Sequence, residues 1–142
     1  MTISFHGQRT AGSGSYSSED VHFLLRPMQL APTEVAAKET LIQSGQRHYS
    51  EMISHEEPPS KEHKALYAKA LMQNSSRMAA DVQSLALALS ERYSNSTIIL
   101  VSFVRAGLPL GVLLCRALTE FGVEAYHYGV SIVRDRGIDT VA

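Results

Sequence analysis

Hydrophobic and polar positions follow two different regimes along this chain. From Ile98 to Val104 every position but Ser102 is apolar, and most are β-branched or aromatic. Such a run predicts a strand covered on both faces, as in a parallel sheet. Gly107, Pro109 and Gly111 break it, and from Val112 to Phe121 the apolar residues Val112, Leu113, Leu114, Ala117, Leu118 and Phe121 recur at helical spacing. Gly122 stands where a helix would stop. A second apolar run, Val123 to Val133, predicts a second core strand and completes a βαβ unit.

The first half reads as helical. Ser17 or Ser18 can cap a short helix over Glu19 to Leu25 that Pro27 ends. Thr33 predicts a cap for a helix running to about Ser44, with Gly45 as its stop. After the Pro58-Pro59-Ser60 corner, Ser60 caps a long helical stretch whose apolar stripe is Leu66, Ala70, Met78, Val82, Leu85 and Leu89. Asn74-Ser75-Ser76, poor helix formers, mark a candidate break. The expected organisation is a flexible arm over residues 1–18, a helical region over 19–94, and an α/β core starting at 95 and running to 142.

The chemistry follows from this order of elements. In βαβ units ligands sit at the carboxyl ends of the strands, where a helix N-terminus presents unpaired N–H groups to an anion. Arg105 adds a forked cation at that edge, so Arg105, Ala106 and Gly107 form a candidate anion cradle. The second strand ends in Arg134-Asp135-Arg136-Gly137-Ile138-Asp139, a charged segment at the same edge. Its charges either pair with one another in a solvated turn or face a ligand. Arg47 to Met52 falls between elements; His48 there offers a proton-transfer group and Tyr49 a stacking surface, or else Tyr49 packs and His48 meets solvent.

Composition narrows the classes. A length of 142 residues suits one domain, and 44% hydrophobic with 19% charged residues is ordinary for a globular protein. A net charge of −1 gives no support for general nucleic-acid binding. No run is long enough to span a bilayer, and a single cysteine fits a reducing cytoplasm. Cytoplasmic localisation is therefore the expectation. The six histidines show no ligand-like pairing, so no metal site is expected from protein residues. His55-Glu56-Glu57-Pro58-Pro59 lacks a second histidine and is broken by proline. No lysine follows Gly111, which excludes a Walker loop, and the glycine spacing excludes a dinucleotide fingerprint.

The segment Arg105-Ala106-Gly107-Leu108-Pro109-Leu110-Gly111 after a buried strand resembles the pyrophosphate loop of type I phosphoribosyltransferases. Taken with Gly14-Ser15-Tyr16, Asp20 to Leu25, Ser44 to Met52 and Ser131 to Asp139, the chain is similar to the phosphoribosyltransferase-like StiP family of bacterial tellurite-resistance and stress operons, labelled cysteine protease. The resemblance implies an α/β fold with a parallel sheet of phosphoribosyltransferase type after a helical region that would serve as a hood. It implies phosphoribosyl diphosphate as ligand with Mg²⁺ riding on the diphosphate, and transfer to a base-like acceptor. Arg105, Ala106 and Gly107 would hold pyrophosphate, Arg134, Asp135 and Arg136 would belong to the catalytic loop, and His48 and Tyr49 would line the acceptor pocket. Homo-oligomerisation is left open. The family's acidic donor motif is expected beyond residue 142, so the donor site is expected to be incomplete in this chain.

Two further readings stand beside this one. A non-catalytic module could keep the cradle and sense a nucleotide. A cysteine protease, placed last, would need Cys115, which lies among Leu113, Leu114, Ala117 and Leu118 inside a predicted helix and reads as a structural thiol.

Overall fold

The structure, a computed structural model, describes residues 12–141. In chain order its elements are β1 (His22–Phe23), α1 (Val35–Gln43), α2 (Lys61–Arg92), β2 (Ile98–Val104), α3 (Leu108–Glu120), β3 (Ala125–Val133) and β4 (Gly137–Ile138), with a 3₁₀ turn at Tyr49–Glu51. The chain separates into two compact units, Met28–Gln73 and the residues on either side of it.

The flanking unit is α/β, and its centre is β3. β1 and β2 both pair with it in parallel, giving the order β1-β3-β2, while β4 returns antiparallel on β3. The β2 register runs from Ile98 opposite Ala125 to Val104 opposite Ser131. α3 supplies the crossover between β2 and β3. Pro109 suits its first turn, since a first-turn N–H has no helical partner to lose. Its far end is closed by Gly122 at φ +75°, whose N–H returns to the Thr119 carbonyl.

The core lies between one face of this sheet and the helices. Leu114 and Leu118 of α3 meet Ile98 and Ala86 of α2, and Leu89, Leu100 and Ala125 pack around them. A second cluster joins Val21, Leu108 and Val112, with Tyr16, Phe23 and Val104 against it. Fully burying a side chain such as Leu118 is worth roughly 2 kcal/mol. The opposite face of β2 is bare: Ile99 and Val101 are 63% and 61% exposed. The expectation of a strand covered on both faces therefore holds on one face among the described residues.

Several local expectations change. Glu19 to Leu25 is not a helix: Ser13 to Asp20 forms successive turns, and His22–Phe23 enters the sheet as β1. Tertiary pairing wins there because Leu24 N–H reaches the Gly129 carbonyl and Phe23 N–H the Gly12 carbonyl, both at 2.9 Å. Of the expected flexible arm, residues 1–11 lie outside the described residues, whereas Tyr16 packs into the second cluster. The candidate break at Asn74-Ser75-Ser76 does not interrupt α2, which runs unbroken to Arg92.

In the Met28–Gln73 unit, α1 starts at Val35 without a side-chain cap from Glu34, so Thr33 is not the cap; its N–H instead pairs with the Ile53 carbonyl. Gly45 closes α1 at φ +70°. Ser60 does cap α2, its Oγ accepting from His63 N–H at 3.2 Å.

Candidate functional site

The loop after β2 turns sharply at the carboxyl edge of the sheet. The Val104–Arg105 peptide is cis, and Arg105 and Ala106 are exposed, while Leu108 is buried in the second apolar cluster and anchors the loop. Gly107 N–H donates to the Phe103 carbonyl at 3.1 Å and Leu108 N–H to the Arg105 carbonyl at 3.2 Å. Of the main-chain donors expected for the cradle, that of Gly107 is therefore engaged within the turn. Beside the loop lies a cavity of about 520 Å³, lined by Arg105, Ala106 and Gly107 and by the apolar Leu100, Leu110 and Leu114.

Beneath the loop runs a buried polar relay. Ser102 Oγ lies 2.8 Å from His127 Nε2, and His127 Nδ1 lies 2.9 Å from the main-chain oxygen of Asp20. A carbonyl only accepts, so Nδ1 carries the hydrogen and, in the neutral ring, Nε2 accepts the Ser102 hydroxyl proton. The Gly107 carbonyl, 3.1 Å from Ser102 Oγ, is the other acceptor within reach of that one hydroxyl proton, and it also accepts from Gly111 N–H. Every ring nitrogen is thereby satisfied, as burial requires.

Gly111 lets α3 approach this relay. A Cβ there would run into His127 Nε2 and Ser102 Oγ. The relay continues through Asp20, whose carboxylate takes a forked pair from Arg116: Nε to Oδ1 at 2.6 Å and Nη2 to Oδ2 at 2.7 Å. Ser17 N–H adds a third donor at 3.2 Å. The Arg116 hydrogen bonds, helped by Ser17 and the guanidinium charge, hold the Asp20 carboxyl at about 2 against burial, which acts the other way. The turn before β1, helix α3 and strands β2 and β3 are thus tied by one chain of hydrogen bonds.

The other anticipated residues are distributed unevenly. Arg134, Asp135 and Arg136 form the exposed loop of a β3–β4 hairpin, with Val133 paired to Gly137 and Asp135 at φ +63°. The segment that the resemblance assigns to the catalytic loop forms this turn. It shares the carboxyl edge with Arg105, because Val104 pairs with Ser131 just before both chains turn. His48 and Tyr49 lie in the Met28–Gln73 unit, where their rings sit 4.5 Å apart and His48 Nδ1 is 2.8 Å from Ser50 Oγ.

Cys115 is buried on α3, its Sγ 3.8 Å from the Ala125 carbonyl. Burial first, and the Asp20 charge second, push its thiol upward from the ordinary value. Among the described residues, no group of three His, Cys, Asp or Glu side chains could hold a metal ion, and no helix is long and apolar enough to cross a membrane.

The sequence reading passed over Asp20, Ser102, Arg116 and His127 as a set. Its available signal was Ser102, the one polar residue in an otherwise apolar core strand, with His127 in the next strand.

Comparison with known proteins places this arrangement in a family. Residues 14–142 match the family described as tellurite-like stress resistance cysteine protease StiP. The chain is 53% identical over 130 residues to a protein named cysteine protease StiP from Acinetobacter baylyi (strain ATCC 33305 / BD413 / ADP1), a match covering 92% of this chain and 34% of that relative. The chain belongs to the StiP family, and it spans about a third of the length of that curated relative. No solved structure matches. Both names give a cysteine protease, the reading that the sequence analysis placed last. They overturn the expectation of phosphoribosyl transfer, for which the pyrophosphate-like loop was the ground.

Proposed function

We propose, from membership of the StiP family, that this chain is part of a cytoplasmic stress-resistance protein of the cysteine-protease class. The observation that carries the reading is the 53% identity to the Acinetobacter protein of that name, sustained over 92% of the chain. Protease chemistry of this class needs an accessible thiolate, a base in contact with it and main-chain donors for the tetrahedral oxyanion.

Cys115 does not fit the first role. Its thiol is 4% exposed and shifted away from thiolate formation. His127 does not fit the second, because both ring nitrogens are already bonded inside the relay. In this reading Cys115 and His127 are structural, and, Cys115 being the one cysteine of the sequence, the nucleophile is supplied from outside residues 1–142, as the greater length of the StiP relative allows. Within this chain the carboxyl edge is the substrate-facing part: Arg105 and Ala106 are exposed there, next to the open cavity, with the Arg134–Arg136 turn on the same rim.

The test is hydrolysis of fluorescently labelled casein by the protein expressed from its natural reading frame, compared with its Cys115→Ser and Arg105→Ala variants. The expected result is hydrolysis blocked by a thiol alkylator, unchanged by Cys115→Ser and weakened by Arg105→Ala. Absence of hydrolysis in the wild-type protein would overturn the protease reading. Loss of turnover in a folded Cys115→Ser protein would return the nucleophile to this chain.

A further inference from the structure

The relay under the loop has two complete hydrogen-bond wirings, and they differ by one proton. His127 Nδ1 faces the main-chain oxygen of Asp20 at 2.9 Å, so Nδ1 carries a hydrogen in both. The freedom lies with Nε2 and the Ser102 hydroxyl. That hydroxyl has two acceptors within reach, Nε2 at 2.8 Å and the Gly107 carbonyl at 3.1 Å.

In the first wiring the ring is neutral and the hydroxyl donates to Nε2. In the second, a proton from water has bonded to the Nε2 lone pair. Nε2–H then donates to Ser102 Oγ, and the hydroxyl hydrogen turns about the Cβ–Oγ bond onto the Gly107 carbonyl. No covalent bond breaks, and every donor keeps an acceptor. Burial makes that pairing decisive: His127 is 2% exposed, and a ring N–H gained there without an acceptor carries a desolvation penalty. The Gly107 carbonyl can take the second donor, because its oxygen has two lone pairs and Gly111 N–H uses one.

The charges around the ring allow both states. Strand β2 contains no charged residue. The turn before β1 brings Asp20 and α3 brings Arg116, but these are forked onto each other and offset as a pair. Cys115 of α3 stays a neutral thiol, since burial first and Asp20 second push it upward. His22 and Tyr128 pair on the opposite face of the sheet, as do Tyr126 and the Glu124 carboxylate bonded to it. Arg105 is exposed in the loop.

We propose that Ser102 and His127 form a proton-operated switch beneath the loop after β2. When His127 takes up a second ring proton, the Ser102 hydroxyl leaves Nε2 and bonds to Gly107, adding a tether to the turn that carries Arg105 and Ala106. Gly107 is the right receiver. Its N–H already holds the Phe103 carbonyl and its carbonyl the Gly111 N–H, so one more bond there acts on both the turn and the start of α3. Ser102 and His127 are positioning residues in this device. It concerns the hydrogen bonds under the loop whether or not the chain takes part in proteolysis, so the casein assay and the test below fail separately.

The experiment is a pH titration of the isotope-labelled wild-type chain from neutrality toward acid, followed by NMR at the His127 ring nitrogens and the Gly107 carbonyl carbon. At neutral pH, Nδ1 should be protonated and Nε2 not. On acidification Nε2 should gain its hydrogen while the chain is still folded, and the Gly107 carbonyl resonance should move with the same midpoint. Ser102→Ala should abolish the movement at Gly107 while the ring still titrates. His127→Gln, which cannot take up a proton, should abolish it with the Ser102 hydroxyl in place, and it serves alone if Ser102→Ala does not fold.

A ring that stays singly protonated until the chain unfolds would overturn the proposal. So would a Gly107 resonance that ignores the ring in the wild-type chain, or one that still moves with the wild-type midpoint in either variant.

Discussion

Ser102 and His127 sit on adjacent parallel strands with Oγ 2.8 Å from Nε2, and the pair is closed over by a helix that carries glycine where it crosses them. Ser102 is 8% exposed and His127 2%. The pair superficially has the makings of a nucleophile and base. Its surroundings make it a fastener instead, because Nδ1 is bonded to a main-chain oxygen and Gly111 fills the space a substrate would need.

Removing the hydroxyl tests that role. Ser102→Ala leaves Nε2 buried without its donor, and an unsatisfied buried acceptor costs about 1–3 kcal/mol. Urea denaturation at neutral pH should show that loss as a lower midpoint with an unchanged slope, since the folded and unfolded surfaces barely differ.

Gly111→Ala should be destabilising although alanine is the better helix former. The helix preference favours alanine by up to about 1 kcal/mol. Against it, the new methyl group meets the His127 ring and Ser102 Oγ, both held in place, and overpacking of this kind costs about 1–3 kcal/mol. Thermal unfolding monitored by circular dichroism should show a lower Tm. A rise in Tm would mean that α3 does not seat on the relay.

The Asp20–Arg116 pair predicts a pH dependence with a definite sign. The folded-state carboxyl lies at about 2, below the ordinary 3.8, so the folded chain holds this proton more weakly than the unfolded one. Its contribution is complete above the unfolded value and disappears as pH falls from about 4 toward about 2. In urea melts, the deficit of Asp20→Asn relative to wild type should be level above about pH 5 and should shrink below about pH 4. A deficit that does not change across that range would mean that the carboxylate charge is not what Arg116 stabilises.

Cys115 should behave as an inert core thiol. In the native protein its reaction with a disulfide reagent at mildly alkaline pH should be at least about 100-fold slower than in concentrated urea. Comparable rates in the two states would show an accessible thiol and would weaken the assignment of the nucleophile elsewhere.

Much of the α/β unit was legible because its signals are local. The β2 run, the Gly122 stop, the β3 run and the Ser60 cap each depend on neighbours within a few residues, and all four stand in the structure. β1 was not legible. Two residues are too few to show a strand period, serines followed by acids imitate a helix start, and the Leu24 N–H that settles the matter bonds to Gly129. The β4 return was missed because a charged turn reads as loop whether or not two residues beyond it pair back.

The relay escaped for a related reason. Asp20, Ser102, Arg116 and His127 have no common spacing, and only parallel registration at β3 brings them together. The loop misled in the opposite direction. A strand, a cation and glycines in that order suggest an anion-binding turn, but Gly107 N–H is engaged within the turn and the family's names attach to another chemistry.

The placement of β1 has a consequence for how the polypeptide is made. The Asp20 carbonyl waits for a histidine 107 positions later, and its carboxylate for an arginine 96 positions later. On a ribosome, the segment carrying Asp20, Val21 and Phe23 leaves the exit tunnel long before its slot beside β3 has been synthesised. Seating of that segment is therefore a late event in biogenesis. Until then Val21 and Phe23 are adhesive surface open to holdase chaperones, however quickly the helices behind them form.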